Sequence, residues 1–341
     1  MKKNKKLISF VVPCYNSESY MERCINTLLK GKEDVEIIIV NDGSIDKTKK
    51  IAEGYKKRYP KIIKTIHKIN GGHGSAVNAG LKKATGLYFK VVDSDDWLDE
   101  EALIKLITKI KKLESENKEI DLFVCNYVYD HLYDGFKKTM NYRNIFHEEQ
   151  ITNFEETASF KNSQYLIMHA LIYRTDILKE CKLVLPEHTF YVDNLVAILP
   201  LKYVKTIYYM DLDFYRYFIG REDQSVQEPQ LIKRSSHQVL VTKLVCNKYD
   251  LDEVKSKKLR KMMYRECVFC MTIGTIFSRL AMSEEGEKQY KELWKSIKEN
   301  NPKLYKRLIF SKAGACALPG KFGRFIAIKG YRFAHSLVKF N

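Results

Sequence analysis

One stretch of the chain constrains its fold more than any other: an apolar run that ends abruptly in acidic residues. It spans residues 87–97 and reads LYFKVVDSDDW. The β-prone residues of this run, with a single lysine among them, predict a central strand in a sheet that is covered on both faces. Three carboxylates follow within four residues, at Asp93, Asp95 and Asp96. Like charges this close repel one another, so the cluster needs either a partner or open solvent.

Two interpretations suit this acidic cluster. Carboxylates at i and i+2 of an extended chain face the same side, and hard oxygen ligands suit Mg²⁺ or Mn²⁺, which predicts a metal site at Asp93 and Asp95. The alternative is a solvated acidic turn, in which Asp96 or Asp99 caps the next helix by accepting from its first N–H groups. The acidic turn by itself leaves both interpretations open.

Strands and helices alternate ahead of this turn. Apolar runs predict strands at residues 7–12, 35–40, 62–67 and 87–92, and helices between them at residues 18–30, 46–58 and 75–84. This alternation predicts an α/β fold with a Rossmann-like, doubly wound and mostly parallel sheet. We expect Pro13 to end the first strand, Ser17 to cap the first helix, and residues 70–75 to form a flexible glycine-rich loop.

Polar residues follow three of the predicted strands, at residues 13–16, 41–44 and 93–96. Ligands of such sheets sit beyond the carboxyl ends of the strands, so these segments should meet in one crevice. Neither GxGxxG nor GxxxxGK[ST] follows the first strand, so a glycine cradle is not the main phosphate holder there. If the crevice binds a diphosphate, a cation on Asp93 and Asp95 is the physical substitute, and Asp42 suits a ribose hydroxyl or a base N–H.

The composition narrows the class of protein. The 341 residues include 59 Lys and Arg against 42 Asp and Glu, a net charge of +17, which predicts an anionic partner such as nucleic acid, anionic lipid or a phosphorylated substrate. Eight scattered cysteines and no secretory leader favour a reducing, cytoplasmic compartment. Cys267 and Cys270 form a CxxC without a second pair, so we expect them to pack on one helix face. No apolar run reaches the roughly 18 residues that span a bilayer.

Residues 7–113 resemble the nucleotide-binding half of family-2 glycosyltransferases, which have the GT-A fold. Four segments carry the resemblance, in order and at suitable intervals: VVPCYN, IIIVNDGSID, NGGHGSAVNAGL and VVDSDDWL. Each segment alone is a weak signal, but the four together are specific. The resemblance implies a GT-A domain, which we place at residues 1–225, and we expect a helical C-terminal domain at residues 226–341.

The resemblance also implies an activity: metal-dependent, inverting transfer of a sugar from a nucleoside-diphosphate donor, usually UDP-linked, to an acceptor hydroxyl. The implied nucleotide-binding residues are Pro13, Tyr15, Asp42, Asn70, Asn78, Asp93, Ser94 and Asp95. Among them Pro13 and Tyr15 line the nucleobase pocket and Asp42 holds uracil or ribose. Asp93 reaches the ribose or the metal, and Asp95 binds Mn²⁺ or Mg²⁺. We expect the acceptor to be a glycan, a lipid-linked precursor or a cell-surface polymer.

The chain departs from the family pattern in two places. The family often has Ala-Arg-Asn where this chain has Val77 between Ala76 and Asn78, so His73 or Asn78 is expected to take over part of the task of the missing arginine. Family members also carry a catalytic carboxylate, usually as Glu-Asp before a helix, where this chain has Val192 and Asp193. We identify Asp193 as the catalytic base. A helix-capping role for Asp193 is the alternative, compatible with catalysis only if one carboxylate oxygen stays free.

Three further residues are candidates for contacts in the crevice. A lone histidine before a strand, His169, suits a structural role or an acceptor contact. Arg216 and Arg221 have the side chain that binds phosphates in a bidentate manner, although most surface arginines bind nothing. Arg216 and Arg221 are therefore candidates for neutralising the charge of the donor diphosphate or of an acceptor phosphate.

The C-terminal segment is unusually basic. Residues 301–341 contain nine Lys and Arg and no Asp or Glu. A helix over residues 322–340 would have one apolar face with basic residues along its edges. The apolar residues are Phe322, Phe325, Ile326, Phe333, Leu337 and Phe340. The basic residues are Lys321, Arg324, Arg332 and Lys339. This pattern predicts an interfacial helix on an anionic leaflet, and hence a peripheral protein at the inner face of the cell membrane. The alternative is a helix packed on its own domain, weakened as an isolated helix by Gly323 and Gly330.

Two other function classes compete with sugar transfer. A sugar nucleotidyltransferase would share the nucleotide and the metal, but it needs a Gly- and Arg-rich loop after the first strand, where this chain reads PCYNSES. A binder of nucleic acid or another anionic polymer needs a continuous basic stripe with aromatic residues. Here the excess charge lies in the tail and the predicted crevice is acidic, so we expect no nucleic-acid partner.

Overall fold

The structure is a computed structural model that describes residues 6–131, 135–161, 164–220 and 228–337, with side chains up to residue 332. The chain divides into two compact units, residues 1–220 and 221–341. The first unit is built on a sheet and the second is helical.

Ten strands of the described residues form one mixed sheet in the first unit. They are β1 (Ile8–Cys14), β2 (Val35–Asp42), β3 (Ile63–Lys68), β4 (Tyr88–Val91), β5 (Trp97–Leu98), β6 (Leu122–His131), β7 (Lys137–Met140), β8 (Ile151–Thr152), β9 (Leu171–Arg174) and β10 (Ile207–Ile219). Their order is β3-β2-β1-β4-β9-β6-β10-β5, with β7 beside β6 and β8 beside β10. The first four in this order are parallel, and so are β6 and β10, whereas β9 runs antiparallel to both of its neighbours. The predicted α/β fold is confirmed, with antiparallel strands beyond its parallel part.

Helices connect the strands of the first unit. They are α1 (Met21–Leu28), α2 (Thr48–Arg58), α3 (Gly72–Lys83), α4 (Glu100–Ser115), α5 (Thr175–Glu180) and α6 (Asp193–Ile198), with short 3₁₀ helices at Leu29–Asp34, Phe154–Glu156, Met168–Ala170 and Leu199–Tyr203. Every residue of β1 and β2 is buried, as expected for central strands of a covered sheet.

A buried carboxylate lies inside this apolar core. Glu36, on β2, accepts from the Ser9 hydroxyl at 2.5 Å, from the Lys64 ammonium at 2.5 Å and from the Thr85 N–H at 2.6 Å. Burial alone would raise the pKa of Glu36, but these donors outweigh burial and lower it. The carboxylate therefore ties β1, β3 and the chain just after α3 to β2.

Two expectations at the end of β1 are wrong. Pro13 does not end the strand, which continues to Cys14 with Pro13 opposite Val40. The registered pairing of β1 with β4 stops at Val11, so Pro13 removes no hydrogen bond from that side. Ser17 does not cap α1, which begins at Met21 without a side-chain cap. The Ser17 hydroxyl instead lies 2.8 Å from that of Ser94, so it joins the ends of β1 and β4.

The second unit consists of helices. They are α7 (Glu228–Lys233), α8 (Ser235–Asn247), α9 (Lys257–Leu280), α10 (Glu284–Asn300), α11 (Pro302–Leu308), α12 (Lys312–Cys316) and α13 (Gly320–Leu337), with a 3₁₀ turn at Leu251–Glu253. The long helix α9 packs against α8, α10, α12 and α13. Cys267 and Cys270 are buried on α9, as expected. Among the described helices, none has the length and apolarity that crossing a bilayer requires.

Two glycines in the first unit make a matched test of its packing. An alanine Cβ at Gly80 of α3 would lie 2.3 Å from Val11 Cγ1 on β1, whereas one at Gly54 of α2 would meet nothing within 4 Å. We expect Gly80→Ala to destabilise the protein by about 1–3 kcal/mol through overpacking. Gly54→Ala should stabilise it by about 0.5–1 kcal/mol because alanine favours the helix. Urea denaturation of both variants checks this, and equal effects would contradict the packing of α3 on β1.

A buried acid in the second unit predicts a pH dependence. Glu266 is 6% exposed, and burial raises its pKa from 4.5 to about 8. Between these values the folded protein keeps a proton that the unfolded chain has released, so stability falls as the pH rises. Glu266→Gln should match the wild type near pH 4.5 and exceed its stability by about 5 kcal/mol above about pH 8. Urea midpoints at about pH 5 and about pH 9 measure this, and a pH-independent difference would refute it.

Candidate active site

The glycine-rich segment after β3 is ordered into a helix terminus, not the flexible loop that the sequence suggests. Helix α3 begins at Gly72, so most of this segment forms its first turn. The carboxylate of Asp42, at the end of β2, accepts from the N–H groups of Gly71 at 3.0 Å and Gly72 at 2.7 Å. It also accepts from the Lys68 ammonium at 2.7 Å. Asp42 therefore satisfies N–H groups that a helix start leaves unpaired.

Helix α3 in turn holds a segment far along the chain, residues 185–188. The Asn78 side chain donates to the Leu185 carbonyl at 2.8 Å and accepts from the Leu185 N–H at 3.0 Å. The Ser75 hydroxyl donates to Glu187 at 2.6 Å, and the His188 N–H donates to the Gly71 carbonyl at 2.6 Å. This segment leads directly to α6 and Asp193, so α3 positions the predicted catalytic base.

Glycine is needed where these segments meet. Gly72 has a φ of +83°, and a Cβ there would lie 3.1 Å from the backbone of His188. A Cβ at Gly74 would lie 2.6 Å from the carbonyl oxygen of Pro186. Larger residues would therefore push the segment away from α3.

Two side chains from distant parts of the chain pair in the crevice. His73 Nε2, in the first turn of α3, lies 2.8 Å from Asp93 Oδ1, just beyond β4. Burial would lower the pKa of His73, but Asp93, Asp193 and Asp95 together raise it. The same contact acts on Asp93, where His73 outweighs burial and lowers the pKa. A positive charge on His73 is therefore favoured between carboxylates.

Asp193 is the first residue of α6, and Val192, at the cap position before it, makes no side-chain hydrogen bond to the helix. The Asp193 carboxylate lies close enough to the backbone N–H groups of Asn194 and of Asp193 itself to accept from them, so the capping alternative stays open beside the catalytic one. Burial, with Asp93 adding to it and His73 opposing it, raises the pKa of Asp193. A carboxylate with a raised pKa is a better proton acceptor than an ordinary one.

A second cluster lies beside Asp93. Ligand atoms of Asp93, Asp96 and His169 all lie within 4.8 Å of one another. Asp96 accepts from the Tyr215 hydroxyl at 2.6 Å and the Phe218 N–H at 2.8 Å, and burial, Asp95 and Asp93 raise its pKa well above the usual range. Burial lowers the pKa of His169 to about 4, so its ring is neutral. Its Nδ1 is buried and has no hydrogen-bond partner among the described residues.

The acidic residues of the turn after β4 have different roles. Asp99 caps α4 by accepting from the Ala102 N–H at 3.1 Å, which confirms that part of the capping interpretation. Asp96 does not cap the helix but is buried under β10. Asp95, predicted to bind metal, lies outside the three-residue cluster, and its carbonyl accepts from Arg23 at 3.1 Å. Its proposed role stays a prediction.

Lys90 is the main residue of this region that the sequence did not single out. It is 1% exposed on β4, and its ammonium donates to the carbonyls of His169 at 2.7 Å and Leu171 at 3.2 Å. Burial lowers its pKa to about 7. Lys90 therefore holds the turn that presents His169 to the acidic cluster. The one lysine in an apolar strand was the signal for a buried polar role.

The remaining predicted residues lie around the same crevice. Pro13 is buried in β1, whereas the Tyr15 side chain is 55% exposed just beyond it. The Asn70 side chain donates to the Asp42 carbonyl at 2.9 Å. Ser94 is the partner of Ser17 named above. Tyr15, Asn70 and Ser94 follow the carboxyl ends of β1, β3 and β4, whereas Pro13 lies within the last residues of β1. Their contacts with a nucleotide stay predictions.

The two arginine candidates fare differently. Arg216 binds Asp99 at 2.9 Å and lies 4.0 Å from Asp130, so protein carboxylates already pair with it. Arg221 lies outside the described residues.

A family model described as Glycosyl transferase family 2 matches residues 9–181. The uncharacterized glycosyltransferase EpsJ of Bacillus subtilis is 42% identical over 122 residues, which cover 36% of this chain and 34% of that protein. The poly(ribitol-phosphate) beta-glucosyltransferase of Bacillus spizizenii is 30% identical over 227 residues, 64% of this chain and 33% of that protein. The chain spans about a third of the length of these curated relatives.

A solved structure extends the likeness in fold. The crystal structure of residues 1–349 of S. aureus TarS in complex with UDP superposes with a TM-score of 0.66 at 20% identity. The match covers 97% of this chain and 90% of that chain. At this identity the likeness shows a shared fold, which includes the C-terminal helical region.

The contacts of Asp42 predict the effect of removing its charge. Asp42→Asn weakens hydrogen bonds to a buried carboxylate, and we expect a loss of about 2–4 kcal/mol in the free energy of unfolding. Asp176→Asn is the matched control, because Asp176 is exposed and lies 3.5 Å from the exposed Lys179; it should cost less than about 0.5 kcal/mol. Urea denaturation measures both. If Asp42→Asn lowered nucleotide affinity with stability unchanged, Asp42 would be a ligand contact and not the support of α3.

Proposed function

The chain belongs to glycosyl transferase family 2, and from that premise we propose that it transfers a sugar from a nucleoside-diphosphate donor to an acceptor hydroxyl. The observation that carries this proposal is the pairing of His73 with Asp93 at 2.8 Å beyond β4, in a region where Asp193 is near enough for its charge to raise the pKa of His73. These residues come from three separate parts of the chain. They provide a cation, an anion and a proton acceptor in one crevice, as a reaction with an anionic leaving group requires.

We propose a UDP-linked hexose or N-acetylhexosamine as the donor. S. aureus TarS, which shares the fold, has been crystallised with UDP and with UDP-GlcNAc. The exposed ring of Tyr15 is available to stack on the nucleobase. Asp42 is 2% exposed, and its carboxylate accepts from three donors of the protein, Lys68 and the N–H groups of Gly71 and Gly72. At most one lone pair of this carboxylate is left for the nucleotide.

We propose Mn²⁺ or Mg²⁺ as the cofactor, and the residues present fit such a cation. Asp93, Asp96 and His169 offer two carboxylates and an imidazole within 4.8 Å, and no described residue pairs with the His169 Nδ1. Oxygen donors with an imidazole suit Mn²⁺, and oxygen donors suit Mg²⁺. Asp93 and Asp95 are the ligands that the family pattern implies, and Asp96 and His169 are additional candidates. A cation bound there would offset the charge that builds on the departing diphosphate.

In the proposed reaction Asp193 takes the proton of the acceptor hydroxyl. The acceptor oxygen forms its bond to the anomeric carbon as the bond from that carbon to the diphosphate breaks, and the diphosphate leaves with the electron pair. Attack from the face opposite the leaving group inverts the anomeric centre. The raised pKa of Asp193 favours it as the base, and α3 keeps its segment in place.

We propose a glycan, lipid-linked precursor or cell-surface polymer as the acceptor, at the inner face of the cell membrane. Two relatives are named for transfer to poly(ribitol-phosphate), an anionic polymer. The net charge of +17 suits an anionic acceptor or an anionic surface.

The proposal predicts a separation of catalysis from donor binding. Asp193→Asn should lower the transfer rate, or the hydrolysis of the donor, about 10²–10⁴-fold, because a general base is lost. Its UDP affinity should change little. A panel of nucleotide sugars with detection of released nucleotide measures the rate, and calorimetry measures UDP affinity. Glu180→Gln, at an exposed acid on α5, is the control. Full activity of Asp193→Asn would remove Asp193 as the base.

A further inference from the structure

Helix α13 has one face that packs within its own unit. Gly323 and Ala327 are buried on this face. The Tyr331 ring contacts Phe277 edge-on at 5.8 Å between centroids, and its hydroxyl donates to Glu228 at 2.8 Å. The helix is therefore held in place along part of its circumference, which agrees with the packing alternative for this segment.

The other face of α13 exposes large apolar side chains. Phe322 is 73% exposed, Phe325 56% and Ile326 36%, and their spacing of three and four residues places them on one stripe. Of the large apolar residues exposed in the described part of the second unit, most lie between residues 309 and 326: Ile309, Phe310, Leu318, Phe322, Phe325 and Ile326. A concentration of this kind marks an interaction surface.

The charges around the stripe are of one sign. Lys321, Lys329 and Arg332 are exposed beside it. Residues 301–341 contain no Asp or Glu, so the segment has no carboxylate of its own to neutralise them. Arg324, by contrast, lies 3.8 Å from Glu287 of α10. The exposed face is therefore both apolar and cationic.

We propose that this face of α13 binds an anionic lipid bilayer, with Phe322, Phe325 and Ile326 entering the head-group region. The 18 residues of α13 make a helix of about 27 Å, enough to lie in the plane of the interface. The lysines and the arginine reach lipid phosphates while their stems cover apolar surface. A second copy of the chain is a poorer occupant, because it would place like cations against one another. The proposal goes beyond sugar transfer and does not depend on it.

Sedimentation of the full chain with lipid vesicles tests the proposal. The protein should bind vesicles of phosphatidylcholine with phosphatidylglycerol, bind vesicles of phosphatidylcholine alone much more weakly, and dissociate as the salt concentration rises. The double variant Phe322→Ser, Phe325→Ser should lose about tenfold in affinity for each phenylalanine. The pair Lys321→Gln, Lys329→Gln should lose about fivefold for each charge.

Matched controls distinguish binding through the exposed face of α13 from a general loss of surface hydrophobicity or positive charge. Phe136→Ser removes an exposed phenylalanine of the first unit, and the pair Lys291→Gln, Lys295→Gln removes the same net charge from α10. Both should bind vesicles like the wild type, and all variants should keep the wild-type UDP affinity. Phe325→Trp supplies an independent reading, since its fluorescence should shift to the blue with phosphatidylglycerol vesicles.

Three results would overturn the proposal. One is equal vesicle binding by the wild type and the Phe322→Ser, Phe325→Ser variant. Another is that the wild-type protein does not bind vesicles but forms a dimer, and that the Phe322→Ser, Phe325→Ser variant is monomeric. This result would assign the face to a second copy of the chain. The third is salt-dependent binding of an oligonucleotide, lost in the same variant, without vesicle binding.

Discussion

The candidate site depends on the hydrogen bonds that the Asp42 carboxylate accepts at the start of α3. They bring the end of β2, Lys68 and the N–H groups of Gly71 and Gly72 together in a place with little solvent. A helix start is a region of positive potential, and a buried carboxylate is a strong partner for it. With α3 fixed, His73 reaches Asp93, and the bonds from Asn78 and Ser75 hold the segment that leads to Asp193. One carboxylate at a strand end thus sets the geometry of residues more than a hundred positions apart.

The crevice gathers several carboxylates that would repel one another without compensation. Cations and donors lie between them: His73 beside Asp93, the Tyr215 hydroxyl on Asp96, and the buried Lys90 behind the turn that carries His169. The pKa values of Asp93 and Asp96 shift in opposite directions, because His73 lies against Asp93, whereas burial and the charges of Asp95 and Asp93 act on Asp96. In this crevice the His169 Nδ1 has no hydrogen-bond partner among the described residues, and burial raises the pKa of Asp193. Perturbed and unpaired polar groups of this kind concentrate at functional sites.

Much of this region could be predicted from the sequence, and the rest depends on contacts that no local pattern records. The apolar runs of β1, β2 and β4 and the polar residues after them predict strands that end at one crevice, and the family resemblance points to Asp193. The start of α3 could not be predicted, because glycines disfavour a helix and the acid that binds the N–H groups of Gly71 and Gly72, Asp42, is distant in sequence. The role of Lys90 depends on carbonyls some eighty residues away. The antiparallel position of β9 likewise follows from long-range pairing with β4 and β6.

We propose above all that the acidic turn after β4, with Asp93 and Asp95, holds a cation and that this cation binds the donor diphosphate. Calorimetric titration of UDP, with and without Mn²⁺, into the wild type and Asp95→Asn tests it most directly. The account predicts that Mn²⁺ strengthens UDP binding to the wild type and that Asp95→Asn loses most of this gain. Equal affinities in all four titrations would contradict it.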